Sequence, residues 1–253
     1  MDLGLRNRVY LVTGGSRGLG FATAQVLVGE GAQIVVSARH EQAVTKAAAE
    51  LGGPDHAVGL AVDNSDPGAA ERLVAAAVAR YGRIDGGFIS VGGPPPGPVM
   101  EATDEQWRSS FETVFLGGAR IARAIASSVG DGGSICLVLS TSVRSPVPNL
   151  AISNGLRPGL AMVAKTMADE LGPRGVRVNG LLPGRIATDR TRELDSASGD
   201  PDVARARMSA SIPLRRYGGP EEFARVAAFL LSPAASYITG VMLPVDGGAL
   251  RTI

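Results

Sequence analysis

The 253-residue chain contains one cysteine, Cys136, and only two lysines. A single cysteine excludes an internal disulfide and is typical of a protein kept in a reducing cytoplasm. Cys136 lies in the apolar run 135–139, which predicts a buried structural thiol rather than a nucleophile. Two histidines and one cysteine also provide no metal-ligand spacing, so we expect no metal site.

A charge imbalance and long apolar runs are also absent. The 25 basic and 24 acidic residues give a formal net charge of +1, which leaves no electrostatic footprint for nucleic acid or an anionic membrane. No apolar stretch approaches the ~20 residues of a membrane span, and residues 1–15 lack the pattern of a secretion signal. We therefore expect a cytoplasmic protein that binds a small-molecule substrate and no nucleic acid or membrane.

Short β-branched runs alternate with alanine-rich stretches of helical period. This alternation predicts one α/β domain over residues 1–253, a doubly wound (Rossmann) parallel seven-stranded sheet wrapped by helices. The predicted strands are 9–12, 33–37, 56–62, 87–91, 134–139, 176–181 and 241–244. The predicted helices are 19–29, 41–51, 67–81, 104–129, 150–171 and 220–231. Residues 187–211 are polar and interrupt the rhythm, which indicates either a lid or a plain surface excursion.

A glycine-rich segment follows the first predicted strand and opens the first predicted helix. It reads Thr13, Gly14, Gly15, Ser16, Arg17, Gly18, Leu19 and Gly20. Glycines in this context allow a tight turn and a close approach of the backbone to a pyrophosphate, and the helix N-terminus supplies N–H donors and a favourable dipole. The strand–turn–helix context therefore predicts a dinucleotide site.

The spacing of this segment resembles that of the short-chain dehydrogenase/reductase family. Further motifs extend the resemblance over nearly the whole chain: Asp63, Asn179, Pro-Gly-Arg-Ile-Ala-Thr at 183–188 and Val-Asp-Gly-Gly at 245–248. The resemblance implies a nicotinamide cofactor. The residues implied to bind it are Gly14, Ser16, Arg17, Gly18, Leu19, Gly20, Arg39, Asp63, Asn64, Val91, Gly92, Pro183, Gly184, Ile186 and Thr188.

The choice of cofactor depends on the end of the second predicted strand. An acidic residue there would bind the ribose 2′-hydroxyl of NAD and repel a 2′-phosphate. The chain has Ala38 at that position, and the guanidinium groups of Arg39 and Arg17 suit a phosphate. The alternative is that both are simply exposed arginines in a chain with 23 of them. The missing acid favours NADP(H).

The family's catalytic residues are mostly replaced. By resemblance, Ser140 aligns with the carbonyl-binding serine, the catalytic tyrosine falls at Ser153, and the lysine four residues later falls at Arg157. The asparagine that holds a relay water falls at Val114. A serine hydroxyl is far less acidic than a phenol, and an arginine stays protonated. The resemblance thus implies catalytic roles for Ser140, Ser153 and Arg157, with a proton path unlike that of the family.

Three further residues flank the substrate side in this family. Ser142 lies at strand period from Ser140, and Arg144 and Arg185 lie in loops where they can recognise an acidic substrate or simply be solvated. The loop 92–98, Gly-Gly-Pro-Pro-Pro-Gly-Pro, either shapes the pocket or is a stiff connector.

Three functions are compatible with these residues. The first is an NADP(H)-dependent oxidoreductase acting on a small keto, acyl or imine-type molecule, comparable to 3-oxoacyl-carrier-protein reductases. The second is a redox-inactive nucleotide-binding subunit, and the third is a non-redox enzyme, such as a cyclase or lyase, that uses the same pocket. The family resemblance also implies a homo-oligomer, a tetramer or a dimer.

Overall fold

One parallel sheet of seven strands runs through the molecule in the order β3-β2-β1-β4-β5-β6-β7. The computed structural model describes residues 2–197 and 199–252, so Ser198 of the predicted lid and the two terminal residues lie outside the described residues. The strands are β1 (Val9–Val12), β2 (Gln33–Ala38), β3 (Ala57–Ala61), β4 (Gly86–Ile89), β5 (Ser134–Val138), β6 (Arg177–Pro183) and β7 (Met242–Val245). The predicted seven-stranded parallel sheet is confirmed.

Helices cover both faces of the sheet. They are α1 (Gly18–Gly29), α2 (Glu41–Glu50), α3 (Ala69–Tyr81), α4 (Asp104–Ser110), α5 (Gly117–Ser128), α6 (Ala151–Leu171), α7 (Asp189–Ser196), α8 (Pro201–Ser211) and α9 (Pro220–Leu231). Successive side chains of a strand point to opposite faces. Val9 and Leu11 accordingly pack with α3, α5 and α6, whereas Tyr10 and Val12 pack with α1, α2 and α9. Both faces of β1 are buried, as expected for a central parallel strand.

The strand order reverses between β1 and β4, which are neighbours in the sheet. Ligands of open α/β sheets bind in the crevice outside the carboxyl ends of the strands at such a switch point. Thr13 ties the two loops of this crevice together. Its Oγ1 donates to the carbonyl of Ser90 at 2.8 Å and accepts from the amide of Ser90 at 2.9 Å. The spacing between the loops after β1 and β4 is therefore set by hydrogen bonds.

The helix predicted over 104–129 is wrong in its middle. Residues Phe111–Leu116 are π-helical and join α4 to α5. Gly117 directly follows this turn, and its lack of a side chain leaves room for the backbone of Asn64. The close approach of α5 to the loop after β3 thus accompanies the irregular turn.

The segment 187–211 contains two helices that the polarity of the sequence did not predict. Thr188 caps α7 by accepting from the amide of Thr191 at 3.4 Å. Asp200 caps α8 by accepting from the amides of Asp202 and Val203, and Pro201 occupies the first turn of α8. These capping residues are the sequence signal for both helices.

Candidate active site

The glycine-rich loop has the shape that a pyrophosphate needs. Gly14 has a φ of 59°, and a Cβ at this position would lie 2.6 Å from the carbonyl oxygen of Ser90. The amide of Gly15 donates to the carbonyl of Ser37 at 2.9 Å, which fixes the loop on β2. Helix α1 begins at Gly18 with no side-chain cap among the described residues, so its first amides are open to an incoming acceptor. The residues present fit a dinucleotide.

The predicted cofactor residues lie at one edge of the sheet. They lie at or just beyond the ends of five strands, in the connecting loops or the first turn of α1: Gly14, Ser16, Arg17, Gly18, Leu19 and Gly20 after β1, Arg39 after β2, Asp63 and Asn64 after β3, Val91 and Gly92 after β4, and Pro183, Gly184, Ile186 and Thr188 at the end of β6. Because the strands are parallel, all these loops lie at their carboxyl ends.

The loops after β2 and β3 bring a basic and an acidic side chain together. Ser65 donates its amide and its hydroxyl to the carboxylate of Asp63, at 2.9 and 2.7 Å. These hydrogen bonds, and then the nearby charge of Arg39, lower the pKa of Asp63. Asp63 is therefore an ionised acceptor at neutral pH, and Arg39 is exposed beside it.

Ser140 and Ser142 follow the last residue of β5. Ser140 has extended backbone, and its Oγ accepts from the amide of Ser142 at 3.1 Å. The hydroxyl of Ser142 is buried and has no hydrogen-bond partner among the described residues. A buried hydroxyl without a partner is rare, because its desolvation is not compensated.

Arg157 and Ser153 lie one turn apart on α6, with 4% and 7% of their surface exposed. The Nη1 of Arg157 donates to the carbonyl of Val138 at 2.5 Å, and in the described part of the chain the guanidinium forms no ion pair. Burial lowers the pKa of Arg157 to about 10, which still leaves the group charged at neutral pH. The structure therefore places a buried cation at the end of the strand that leads to Ser140.

The position predicted to correspond to the family's relay asparagine is apolar. Val114 lies in the π-helical turn with 2% of its surface exposed and packs with Ile152 and Leu156. Trp107 and Val91 cover the same cluster. Hydrocarbon therefore surrounds the side-chain position that would otherwise hold a polar relay group.

The proline-rich loop is tied to the beginning of α6. The amide of Gly97 donates to the carbonyl of Asn149 at 2.8 Å, and the amide of Ala151 donates to the carbonyl of Gly97 at 3.2 Å. A cavity of about 120 Å³ lies between this loop and Ile152, the residue that precedes Ser153 in the chain. The loop thus lies against the helix that carries the candidate catalytic residues.

Arg185 and Arg144, predicted to contact substrate, have protein partners. Arg185 forms an ion pair with the buried Asp195 of α7 at 3.0 Å, and the hydroxyl of Tyr217 donates to both oxygens of the same carboxylate at 3.1 Å. Arg144 is exposed and donates to the carbonyl of Met242 at 3.1 Å. Their roles in substrate recognition stay predictions.

Two residues at the start of α7 lie at the crevice and were not predicted as site residues. Asp189 forms an ion pair with Arg17 at 3.2 Å, and the Nη2 of Arg190 donates to the carbonyl of Pro94 at 2.7 Å. No spacing in the sequence distinguishes them from other charged residues of a surface helix. Their roles depend on how α7 folds over the sheet edge.

The remaining reactive side chains lie outside the site. Cys136 is fully buried in β5, and burial raises the pKa of its thiol to about 12, which confirms the prediction of a buried thiol. His40 and His56 are exposed. Within residues 2–197 and 199–252, no group of three acidic, histidine or cysteine side chains is arranged to hold a metal ion, and no helix is both long and apolar enough to cross a membrane.

Comparison with protein families and curated proteins gives matches over almost the entire chain. The family model described as enoyl-(acyl carrier protein) reductase matches residues 14–249. Human dehydrogenase/reductase SDR family member 4 is 37% identical over 249 residues, which is 96% of this chain and 88% of the relative. The 3-oxoacyl-(acyl-carrier-protein) reductase of Salmonella typhimurium is 32% identical over 248 residues, which is 97% of this chain and 98% of the relative.

Solved structures match at the level of the whole fold. The L-sorbose reductase of Gluconobacter frateurii, in complex with NADPH and L-sorbose, is 31% identical, with a TM-score of 0.91 and complete coverage of both chains. YwfH, an NADPH-dependent reductase involved in bacilysin biosynthesis, is 25% identical, with a TM-score of 0.90 and coverage of 97% of this chain and 99% of the other.

Proposed function

Because the chain belongs to the short-chain dehydrogenase/reductase family, we propose that it is an NADP(H)-dependent oxidoreductase with an atypical active site, acting on a small keto, acyl or imine-type substrate. The observation that carries this proposal is the crevice at the switch point. It combines a glycine-rich loop, an α1 whose N-terminus has no side-chain cap among the described residues, and Ala38 at the end of β2, followed by Arg39, where an acid would favour NAD. The similar structures described as NADPH-dependent or complexed with NADPH support the choice of cofactor.

The residues of the crevice divide into two groups by what they would hold. The glycine-rich loop would bind the pyrophosphate, and Arg17 and Arg39 would bind the 2′-phosphate. Arg157 would contribute positive charge and hydrogen bonds near the nicotinamide ribose. When bound, the cofactor supplies or accepts a hydride. Ser140 and Ser153 would bind the substrate oxygen through their hydroxyls.

The source of the proton distinguishes this chain from its relatives. Ser153 is a poor acid, Arg157 stays charged, and Val114 lies in an apolar cluster, so none of them can act as a general acid near neutral pH. We propose that water supplies the proton when a carbonyl is reduced. A substrate with an iminium or similarly activated carbon would need no acid, because hydride addition alone neutralises it.

Cofactor choice is tested by titrating the protein with NADPH and NADH and following cofactor fluorescence. We expect tighter binding of NADPH. We expect Arg39→Asp to reduce or invert the preference, because a carboxylate repels the 2′-phosphate and accepts a bond from a 2′-hydroxyl. Arg6→Asp, at an exposed arginine near the N-terminus, controls for net charge. Equal affinities in the unmodified protein would refute the preference.

Turnover decides between an oxidoreductase and the other two functions. Steady oxidation of NADPH with a member of a carbonyl and imine panel supports the oxidoreductase. Tight NADPH binding without consumption by any panel member would favour a nucleotide-binding subunit, a function that the apolar surroundings of Val114 also suit. Conversion of a substrate with the NADPH concentration unchanged would indicate a cyclase or lyase.

We further propose a cytoplasmic homo-oligomer, a tetramer or a dimer. Met162 of α6 and Phe111 at the start of the π-helical turn are exposed, at 66% and 40% of their surface, and Phe111 stacks on Phe115 with ring centres 5.1 Å apart. Apolar side chains on neighbouring helices suit a contact between copies. Light scattering at micromolar concentration should report more than one chain per particle, and a monomer would refute this expectation.

A further inference from the structure

The first two residues of α7 hold opposite sides of the dinucleotide crevice. Asp189 pairs with Arg17, which lies in the loop after β1, and Arg190 donates to the carbonyl of Pro94, which lies in the loop after β4. Since β1 and β4 are neighbours at the switch point, the start of α7 bridges the two loops between which a dinucleotide would lie. We call residues 188–190 the strap.

Local contacts fix the strap on both loops. The Cγ2 of Thr188 would lie 3.7 Å from a Cβ built on Gly18, so the strap passes close to the glycine-rich loop. A Cβ on Gly93 would lie 3.1 Å from the Nε of Arg190, so a glycine there provides the room that this arginine needs. Glu193, one turn along α7, lies 3.5 Å from the guanidinium of Arg190 and steadies it.

Arg17 therefore has two competing partners. The guanidinium lies on Asp189 in this structure, and the proposed function assigns the same guanidinium to the 2′-phosphate of NADP(H). Both side chains of the pair are largely exposed, at 68% and 69%, so the ion pair is weak. A phosphate carries about two negative charges and binds arginine bidentately, so it competes well with one carboxylate. The 2′-hydroxyl of NAD(H) has no charge with which to compete.

We propose that Asp189 is a cofactor-specificity residue. It occupies Arg17 in the cofactor-free protein, and the 2′-phosphate of NADP(H) displaces it, which releases one end of the strap. NAD(H) leaves the pair intact. The proposal rests on the proposed NADP(H) preference. Because the carboxylate and the 2′-phosphate compete for one guanidinium, a neutral residue in place of Asp189 must strengthen NADP(H) binding by the factor by which the ion pair weakens it.

The first test is a double-mutant cycle on cofactor affinity. Asp189→Asn should lower the Kd of NADPH about threefold to fivefold, the range expected for an exposed ion pair, and leave the Kd of NADH unchanged. In an Arg17→Ala background the same substitution should have no effect on either Kd. Asp202→Asn, at an exposed acid of α8 in the same segment, removes an equal charge and should change neither Kd.

Three results of this cycle would overturn the proposal. An unchanged Kd for NADPH, an equal shift for NADPH and NADH, or a full effect of Asp189→Asn in the Arg17→Ala background would each show that Asp189 does not compete for Arg17.

A second measurement tests the contacts of the strap independently of the cofactor preference. Hydrogen–deuterium exchange of residues 188–197 in the cofactor-free protein should be faster in Asp189→Asn and in Arg190→Ala than in the unmodified protein or Asp202→Asn. Unchanged exchange in both variants would overturn the strap. Equal Kd values of the unmodified protein for NADPH and NADH would instead refute the proposed cofactor preference, and with it the displacement, even where exchange shows that the strap exists.

Discussion

The guanidinium of Arg157 donates to the backbone carbonyl of Val138 and so joins α6 to the end of β5. The pairing of β5 with β4 ends one residue earlier, at Leu137 and Ile89, so this carbonyl lies just beyond the register of the two strands. The arginine therefore binds a main-chain acceptor at the margin of the sheet. It is also a buried cation without an ion-pair partner among the described residues, and such a charge is normally costly to a fold.

Replacing Arg157 should weaken cofactor binding without lowering the stability of the fold. We expect Arg157→Met to unfold at the same or a higher temperature without cofactor, because the removal of an unpaired buried charge offsets the loss of one donor to the carbonyl of Val138. NADPH binding should weaken about tenfold, since one or two hydrogen bonds to the cofactor are lost. Differential scanning fluorimetry and fluorescence titration measure the two effects.

Arg177→Met is the matched control for that substitution. Arg177 is also buried, but it donates to the carbonyls of Leu230, Ser232 and Ile238 at the end of α9 and beyond. Its removal leaves these acceptors buried without a donor and should lower the melting temperature by several degrees. An equal loss of stability in Arg157→Met, with NADPH binding intact, would show that Arg157 has only a structural role.

Ser153→Ala should reduce turnover only modestly. The hydroxyl can provide one neutral hydrogen bond to a substrate oxygen, worth ~0.5–1.5 kcal/mol, and this corresponds to about a tenfold change in kcat/KM at most. The measurement is the rate of NADPH oxidation with whichever panel compound proves active. A thousandfold loss would show that Ser153 performs the proton transfer, contrary to the roles proposed above.

Pro158→Ala should stabilise the protein. Pro158 lies in the interior of α6, where its ring cannot donate to the carbonyl of Asn154 and interferes with that turn. An alanine would restore the bond and should raise the melting temperature by about 2–8 °C, from ~1–2 kcal/mol in a chain of this size. Pro201→Ala, in the first turn of α8 where proline is well tolerated, should give no such gain. Equal shifts in the two variants would contradict this explanation.

The stability of the protein should fall as the pH rises above about 9. Burial raises the pKa of Cys136 to about 12 from an ordinary value of 9.0, so the native state keeps the thiol protonated while the unfolded chain loses the proton. The stabilisation is complete below the unfolded pKa and is lost as the pH rises toward the folded pKa, with a slope of at most ~1.4 kcal/mol per pH unit.

Urea unfolding of the protein and of Cys136→Ala at pH 8, 9 and 10 checks this expectation. The slope with pH should be smaller in the variant, whatever its absolute stability. Tyr10, whose pKa burial also raises to about 12, has an ordinary value of 10.0 and contributes mainly above this window. Identical slopes in the two proteins would show that the thiol is not the cause.

Local patterns predict most of the fold. Strand β1 and helix α9 occupy the predicted residues, because a short β-branched run and a proline ahead of two acids are signals carried by neighbouring residues. The π-helical turn Phe111–Leu116 was not predictable in this way, since it is a single short turn between two α-helical segments and its i→i+5 hydrogen bonds have no residue pattern of their own. The helices α7 and α8 were not predicted because their polar sequences lack a periodic apolar face, so the caps Thr188 and Asp200 were the main local signal.

The positions of the candidate site residues are predictable from the sequence, and their contacts are less so. The glycine-rich loop, Ser140 and Arg157 follow from motifs, and the parallel sheet places them at one edge. The contacts of Arg157, Arg17 and Arg185 are formed with segments that meet only in the folded protein. The carbonyl that accepts from Arg157 and the acids that pair with the other two arginines therefore cannot be identified from local sequence. No composition or periodicity reports such pairings.

The backbone hydrogen bonds of Gly97 to Asn149 and Ala151 limit how the cavity beside the proline-rich loop can change in shape. These hydrogen bonds join the proline-rich loop to the beginning of α6, the helix that carries Ser153. An insertion that lengthens the loop would therefore also displace the helix. The shape of this cavity can therefore be altered most readily by exchanging side chains on its wall, such as those of Pro95, Pro96 and Ile152, while the main chain stays in place. A library aimed at this cavity should use point substitutions at these positions rather than changes in loop length.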